Sequence, residues 1–338
     1  MHCDTKHCIN NSVFRSPVPN TSATSFRDYN YGSERAREYE TGHAEFAPHQ
    51  GELVTHAFQF RRPEGVQVTY RRMKFEFEDK GFDRYWHGGS PFKSLFWSQL
   101  SAAFDPGETF FIDSARALRK KIDNPELLAE LQEFCRQEGH HTAQHIKFDK
   151  KNSELGLDID MCRRRYERIL NRARRKLDPM QMLAATCALE HFTACFADQF
   201  FANPELSAGG DPKVVALWSW HAAEESEHRA TCYDIYRACG GNYPMRVITL
   251  IGAWTLILYA SLVNTTILLH RDKKLFTRDT LSGLGYLFGR RGLVTGLIPA
   301  FLEYLKPNFH PWKGVDGAAI AKWKEENKKY VQNLPDAA

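Results

Sequence analysis

WHAAEESEHRATCYD, residues 220–234, places two histidines and three glutamates within the eight residues His221–His228, amid small and apolar neighbours. A solvated helix face mixes lysine with glutamate, and a core helix carries almost no charge. At about 100° per residue, His221, Glu225 and His228 fall at roughly 0°, 40° and −20°, on one narrow stripe. Glu224 sits at the edge of that stripe, while Glu227 points away from it and is expected in solvent. Two neutral imidazoles and a carboxylate together suit Fe, Mn or Zn. The competing reading of this stretch alone is an acidic surface helix with incidental histidines.

Other stretches add to it. QEGHHTAQH, residues 137–145, puts Glu138 and His141 at i, i+3 on one side of a helix. His145 falls on that same side, and His140 points nearly opposite. ALEHFTACF, residues 188–196, holds one carboxylate, Glu190, in an otherwise apolar run. DPGETFFIDSAR, residues 105–116, offers Glu108, with Asp113 as its rival. The order is Glu, Glu-x-x-His, Glu, Glu-x-x-His on four successive helices, the ligand pattern of a ferritin-like dimetal bundle. Four carboxylates neutralise two divalent cations and can bridge them, and one histidine from each Glu-x-x-His turn caps each metal. The expected fold is therefore mostly α: a ferritin-like four-helix bundle with extra C-terminal apolar helices and a short extended N-terminal arm.

The punctuation agrees. Asp105-Pro106, Asn124-Pro125, Asp178-Pro179 and Asp211-Pro212 each set an N-cap residue before a proline. The helices they open are expected to run to about 122, 150, 202 and 239, with others at about 91–104 and 159–176. Residues 1–50 are polar and aliphatic-poor and read as a disordered or loosely attached arm. Residues 51–89 read as an extended or short-strand segment, from the apolar/polar alternation of LVTHAFQFRRPEGVQVTYRRMKFEFE at 53–78. Residues 90–240 make the dimetal bundle, 241–315 apolar helices packed on the bundle or membrane-associated, and 316–338 a polar tail helix.

Net charge is only +4 in 338 residues, so bulk charge does not mark a polyanion binder. The basic run RRRYERILNRARRK, 163–176, reads first as a solvated face and second as a dock for an acidic partner or anionic lipid. It lacks aromatic interleaving, and no nucleic-acid partner is expected. Eight cysteines without a CxxC pair fit reduced thiols, and the N-terminus lacks an apolar signal region. A cytoplasmic protein is expected, membrane-associated if 247–269 meets lipid. That segment, VITLIGAWTLILYASLVNTTILL, holds 23 residues without a charge, long enough to span a bilayer or to form a buried helix. A second apolar segment, 281–305, is broken by Arg290-Arg291 and Pro299 and reads as an interfacial or re-entrant piece.

VTYRRMKFEFE, RYWHGGSPFKSLFWSQLSAAFDPGETFFIDSAR, FCRQEGHHTAQH, ALEHFTACFADQ, LWSWHAAEESEHRATCYDIY and KPNFHPW together resemble a ferritin-like family labelled "predicted metal-dependent hydrolase", over roughly residues 65–315. The ligand pattern is also similar to that of p-aminobenzoate N-oxygenases. Those non-haem di-iron enzymes carry a third histidine four residues before the Glu of the last Glu-x-x-His, the place of His221 here. That likeness implies a site of Glu108, Glu138, His141, Glu190, His221, Glu225 and His228 holding two metal ions, Fe first and Mn or Zn as alternatives. It is confined to the ligands and implies no substrate. Glu108 lies in the first turn after Pro106, whereas the other three glutamates lie 11–13 residues past their prolines. Either the preceding helix stacks on this one to bring Glu108 to mid-bundle, which we prefer, or Asp113 substitutes. His145 is expected behind a ligand, and Asp198 and Asp234 are candidate acceptors for ligating histidines. Phe192, Thr193, Ala194 and Ala197 are candidate pocket residues.

Three functions follow. The first is an oxidoreductase that uses O2 on a small or lipid-like substrate, with an electron-donor protein as partner. The second is a dimetal hydrolase of an ester or phosphate, with Glu224 as general base. The third is a non-catalytic metal-binding bundle. A homodimer is compatible with each.

Overall fold

A computed structural model describes residues 62–77 and 83–328. The expected arm at 1–50, with Cys3 and Cys8, and the last ten residues lie outside them. The described residues are mostly helical and contain no strand, only an isolated bridge between His87 and Gly210.

The short strands expected within 51–89 are absent from the described part of that segment. After a turn at Glu64-Gly65, residues 66–77 form neither helix nor strand, and they alternate in two stretches, Val66 and Val68 and then Phe75 and Phe77 being buried. Side chains of the neighbouring helix, not a second strand, take the backbone groups. Tyr70 N–H donates to Glu133, Phe75 N–H to Gln144 Oε1 at 3.1 Å, and Thr69 C=O accepts from Gln137 Nε2 at 3.1 Å. A period-2 pattern here marks a strap laid along a helix.

The helices are α1 (Pro91–Ser101), α2 (Phe104–Ala117), α3 (Pro125–Glu154), α4 (Ile159–Lys176), α5 (Pro179–Ala202), α6 (Pro212–His228), α7 (Thr231–Ala238), α8 (Tyr243–Arg271), α9 (Arg278–Phe288), α10 (Leu293–Gly296), α11 (Ile298–Tyr304) and α12 (Ala318–Glu326). Asn124, Asp178 and Asp211 cap α3, α5 and α6 as their sequence predicts, Asp178 in a full capping box with Gln181. Asp105 does not cap. Helix α2 starts one residue before it, and only Ala102 and Ala103 separate α2 from α1. The expected helix from 212 to 239 breaks at Arg229-Ala230 into α6 and α7.

Helices α2, α3, α6 and α5 pack on one another in a closed ring: α2 on α3, α3 on α6, α6 on α5 and α5 on α2. Helix α8 lies along α5 and α1. Its inner face buries Leu250, Trp254, Ser261, Asn264, Thr265 and Leu268. Trp254 Nε1 donates to Ala188 C=O at 2.8 Å, and Ser261 meets Tyr166 Oη at 3.0 Å. Among the described residues, α8 is the one helix long and apolar enough to cross a membrane. Residues 281–305 form short helices beside it. The expected polar tail helix is α12, which buries Ile320 and Trp323 against the bundle.

Candidate metal centre

The ring of helices closes over a buried, charged centre. Glu108 on α2, Glu138 and His141 on α3, Glu190 on α5, and His221, Glu225 and His228 on α6 are all buried. Two clusters form: Glu108, His141 and His221, and Glu138, Glu225 and His228, each with its ligand atoms within 4.8 Å of one another. His228 Nε2 lies 3.3 Å from Glu138 Oε1, from Glu190 Oε2 and from Glu225 Oε2. Ligand atoms about 3.0–3.4 Å apart are what metal–ligand bonds of about 2.0–2.1 Å produce. His221 Nε2 lies 2.9 Å from Glu225 Oε1 and 3.7 Å from Glu108 Oε1. His141 Nδ1 lies 3.6 Å from Glu138 Oε1 and 3.9 Å from Glu225 Oε1. Glu138 and Glu225 therefore stand between the two clusters, with Glu108 and Glu190 at the outer ends.

A metal is tested by which atoms lack a partner. Glu108 Oε1, both oxygens of Glu138, both oxygens of Glu190, His141 Nδ1 and His228 Nε2 are buried and make no hydrogen bond. Such groups are costly unless something else satisfies them, and here all seven face the common centre. Electrostatics agree. Burial, then neighbouring carboxylates, push Glu138 and Glu108 well above the usual carboxylate range, and burial pushes Glu190 up to about 7. Burial also acts on Glu225, but His228 and the hydrogen bond from His221 outweigh it and hold that carboxyl low. Burial and the facing imidazoles keep His141 neutral. Four carboxylates buried in one space need compensating cations, and the residues fit two.

The three histidines are aimed from behind. His141 Nε2 donates to Glu224 at 3.0 Å, which leaves Nδ1 for the centre. His228 Nδ1 donates to Gln137 Oε1 at 2.9 Å, which leaves Nε2. His221 Nδ1 meets His145 Nε2 at 2.8 Å, His145 Nδ1 meets Ser101 Oγ at 2.8 Å, and Ser101 donates to Asp149 at 2.6 Å. These tautomers follow from the hydrogen-bond network. Arg71, on the extended strap, links two of the three. It reaches Glu224 at 3.3 Å and clasps Glu227 with contacts of 2.8 and 2.6 Å. Glu227 also accepts from Gln137 at 3.2 Å and from Lys324 of α12 at 2.8 Å.

Several expectations are corrected. Glu227 is fully buried, because Arg71 and Lys324 neutralise it. Glu224 faces away from the centre, between His141 and Arg71, so it positions a ligand and cannot act as a base at a bound water. Asp113 pairs with Arg174 at 3.2 Å on the outer side of α2, and Glu108 points inward, where Thr142 donates to it at 2.6 Å. Asp198 clasps Arg229 at 2.7 Å and Asp234 accepts from His310 at 3.0 Å, so neither holds a ligand-set histidine. His145 stands behind His221.

A cavity of about 330 Å³ abuts the centre and ends on His221 and Glu225. Phe192, Thr193 and Ala197 line it, whereas Ala194 is buried elsewhere in the core. Thr193 donates its hydroxyl to Glu225. Residues 69–314, nearly three quarters of the chain, match the family described as predicted metal-dependent hydrolases. The chain belongs to that family. No curated protein and no solved structure matches it. The family description agrees with a site built for metal, and the matched segment contains every residue of the centre and Arg71 behind it.

The sequence reading missed Arg71, Gln137, Glu227, Ser101 and Asp149. Gln137 and Glu227 adjoin ligands in the sequence, which was the available signal. Arg71 sits in an extended run whose docking place no local pattern reveals.

Proposed function

We propose that this chain is a ferritin-like di-iron enzyme that uses O2 to oxidise an elongated apolar substrate. One observation carries the reading: the cavity that reaches His221 and Glu225 is walled almost wholly by apolar and aromatic side chains, Thr193 and Thr249 being the exceptions beside Tyr166 and Trp218. Hydrolysis of an ester or phosphate calls for donors to the developing oxyanion and a group to protonate the leaving atom. The residue expected as base, Glu224, lies behind His141. Oxidation of a C–H bond needs positioning and exclusion of water instead.

Two iron ions, when bound, would supply the redox chemistry toward O2. The chain's own residues do the rest. Glu138 and Glu225 hold the two clusters together, Thr193 fixes the Glu225 carboxylate through Oε2, and Phe104, Phe192 and Trp218 keep water from the substrate side. For a hydroxylation the balance is substrate C–H, O2, two electrons and two protons giving C–OH and water. The electrons come from an external electron-carrier protein.

Hydrolysis is the second reading, and the family's description favours it. One experiment separates them. Metal-free protein is loaded anaerobically with Fe(II) and mixed with O2, and zinc- or manganese-loaded protein is given aryl esters of increasing chain length. O2 uptake tied to bound Fe(II), absent in Glu225→Ala, supports oxidation. Ester turnover without an O2 reaction replaces it with hydrolysis.

A further inference from the structure

Among the described residues, the exposed large apolar side chains all fall between Tyr243 and Leu302. Along α8 they recur at Ile248, Ile251 and Tyr259, the stripe facing away from the bundle. Helix α9 adds Leu281 and Leu284, and Phe276, in the turn between the two helices, is 96% exposed. Soluble surfaces rarely carry so much clustered apolar area without something to cover it.

A second observation says what covers it. Ile248 and Leu256 are 69% and 49% exposed, yet both belong to the wall of the cavity that ends at His221 and Glu225. The outer wall of the cavity is the exposed apolar face. The opposite wall is α4, through Ile169 and Ala173, with Leu177 just past its end. The same helix exposes Arg164, Arg168, Arg172 and Arg175, and Arg278, Arg290 and Arg291 are exposed at the ends of α9 and just beyond it. The acids of this region are already held: Asp272 by Arg84, Asp279 by Ser90 and the Phe92 N–H, and Glu303 by Lys306 and Lys313. An apolar face flanked by unneutralised arginines suits an anionic lipid surface. The buried Arg246, Ser261, Asn264 and Thr265 face protein, so α8 lies on lipid with one side only.

We propose that the outer face of α8 and α9 rests in one leaflet of an anionic bilayer, and that an acyl-chain substrate passes from that leaflet between α4 and α8 to the metal centre. The substrate half rests on the dimetal reading; the bilayer half does not.

The test floats the full chain, metal-free and metal-loaded, with vesicles of phosphatidylcholine alone or mixed with phosphatidylglycerol. The wild type is expected to float with the anionic vesicles and to be released by salt. Ile251→Glu with Tyr259→Glu, both at exposed positions, is expected to cut the partition coefficient by about tenfold or more while the helical circular dichroism stays unchanged. Arg168→Glu with Arg172→Glu is expected to remove the preference for phosphatidylglycerol. Protein that stays unbound with every vesicle, or floats equally in all variants, overturns the inference. So does a stable dimer that Ile251→Glu dissociates without any flotation, since a second copy then covers the face. Metal counts on the same samples separate the two claims. Two metals without flotation overturn this inference alone, and flotation of a chain that binds no metal overturns the dimetal reading and the substrate half, leaving the bilayer half standing.

Discussion

Replacing Arg71 by methionine keeps much of its length and removes its charge. Arg71 is 2% exposed, and its guanidinium is the shared partner of Glu224 and Glu227, both fully buried. Without it Glu224 keeps His141, and Glu227 keeps Lys324 and Gln137. Breaking one side of a buried ion pair costs about 3–5 kcal/mol. A chain of this size loses roughly 2 °C of Tm per kcal/mol, so Arg71→Met is expected to melt about 6–10 °C lower. A second effect separates positioning from plain destabilisation. Glu224 orients His141, and Glu227 orients Gln137 and through it His228, so looser partners weaken metal binding by about 10–100-fold. Calorimetric melting reads the first effect, and competition with a chromophoric chelator, run below the lowered Tm, reads the second. Arg71→Lys restores the charge without the two-pronged clasp and is expected to recover most of the Tm and less of the affinity. Unchanged metal affinity in Arg71→Met would refute the reasoning that the strap aims the ligands.

Glu108→Gln is expected to lose one of two metals, whereas Asp113→Asn keeps both; elemental analysis decides. Gly107→Leu fills the cavity, since a Cβ there meets nothing within 4 Å. It is expected to hold or raise Tm through better helix propensity and to lower the affinity of a fluorescent fatty acid by at least about tenfold. The metal-free protein should lose stability as pH rises from 7 to 9. Burial raises the folded-state values of Glu138, Glu108 and Glu224, the last to about 8, and the carboxylates raise His228. Groups raised on folding stabilise below their unfolded values and lose that contribution as pH passes through the folded ones. The depressed His141 and His145 contribute a constant amount in this window, being neutral in both states. Metal loading should flatten the slope to the part that Glu224 contributes, since Glu224 stands behind His141 and not at the centre, and equal slopes by thermal melting in both forms would contradict the site's occupancy by metal.

The centre was legible because its ligands obey helical spacing. The helices of Glu138, Glu190 and Glu225 could be drawn from their caps and periodicity, whereas the cap expected at Asp105 for the helix of Glu108 does not form, and the order of carboxylates did the rest. Glu108 over Asp113 depended on how α1 meets α2, a two-residue turn at Ala102-Ala103 that no proline marks. The groups behind the histidines were not legible, because they come from tertiary neighbours. Glu227 looked solvated on its own helix, and only Arg71, 156 residues away, makes its burial tolerable. Asp198 and Asp234 had suitable positions along their helices, but closer cations claimed them. The strap misled as a strand because alternation reports which side is buried, and not what takes up the backbone hydrogen bonds.

The central claim is that four glutamates and three histidines hold two metal ions. Metal-free protein is equilibrated with Fe(II) under anaerobic conditions, freed of unbound metal and counted by elemental analysis, beside Glu225→Ala. Two ions per wild-type chain, falling to one or fewer in the variant, is the expected result. Less than one ion per wild-type chain, or the same count in the variant, would contradict it.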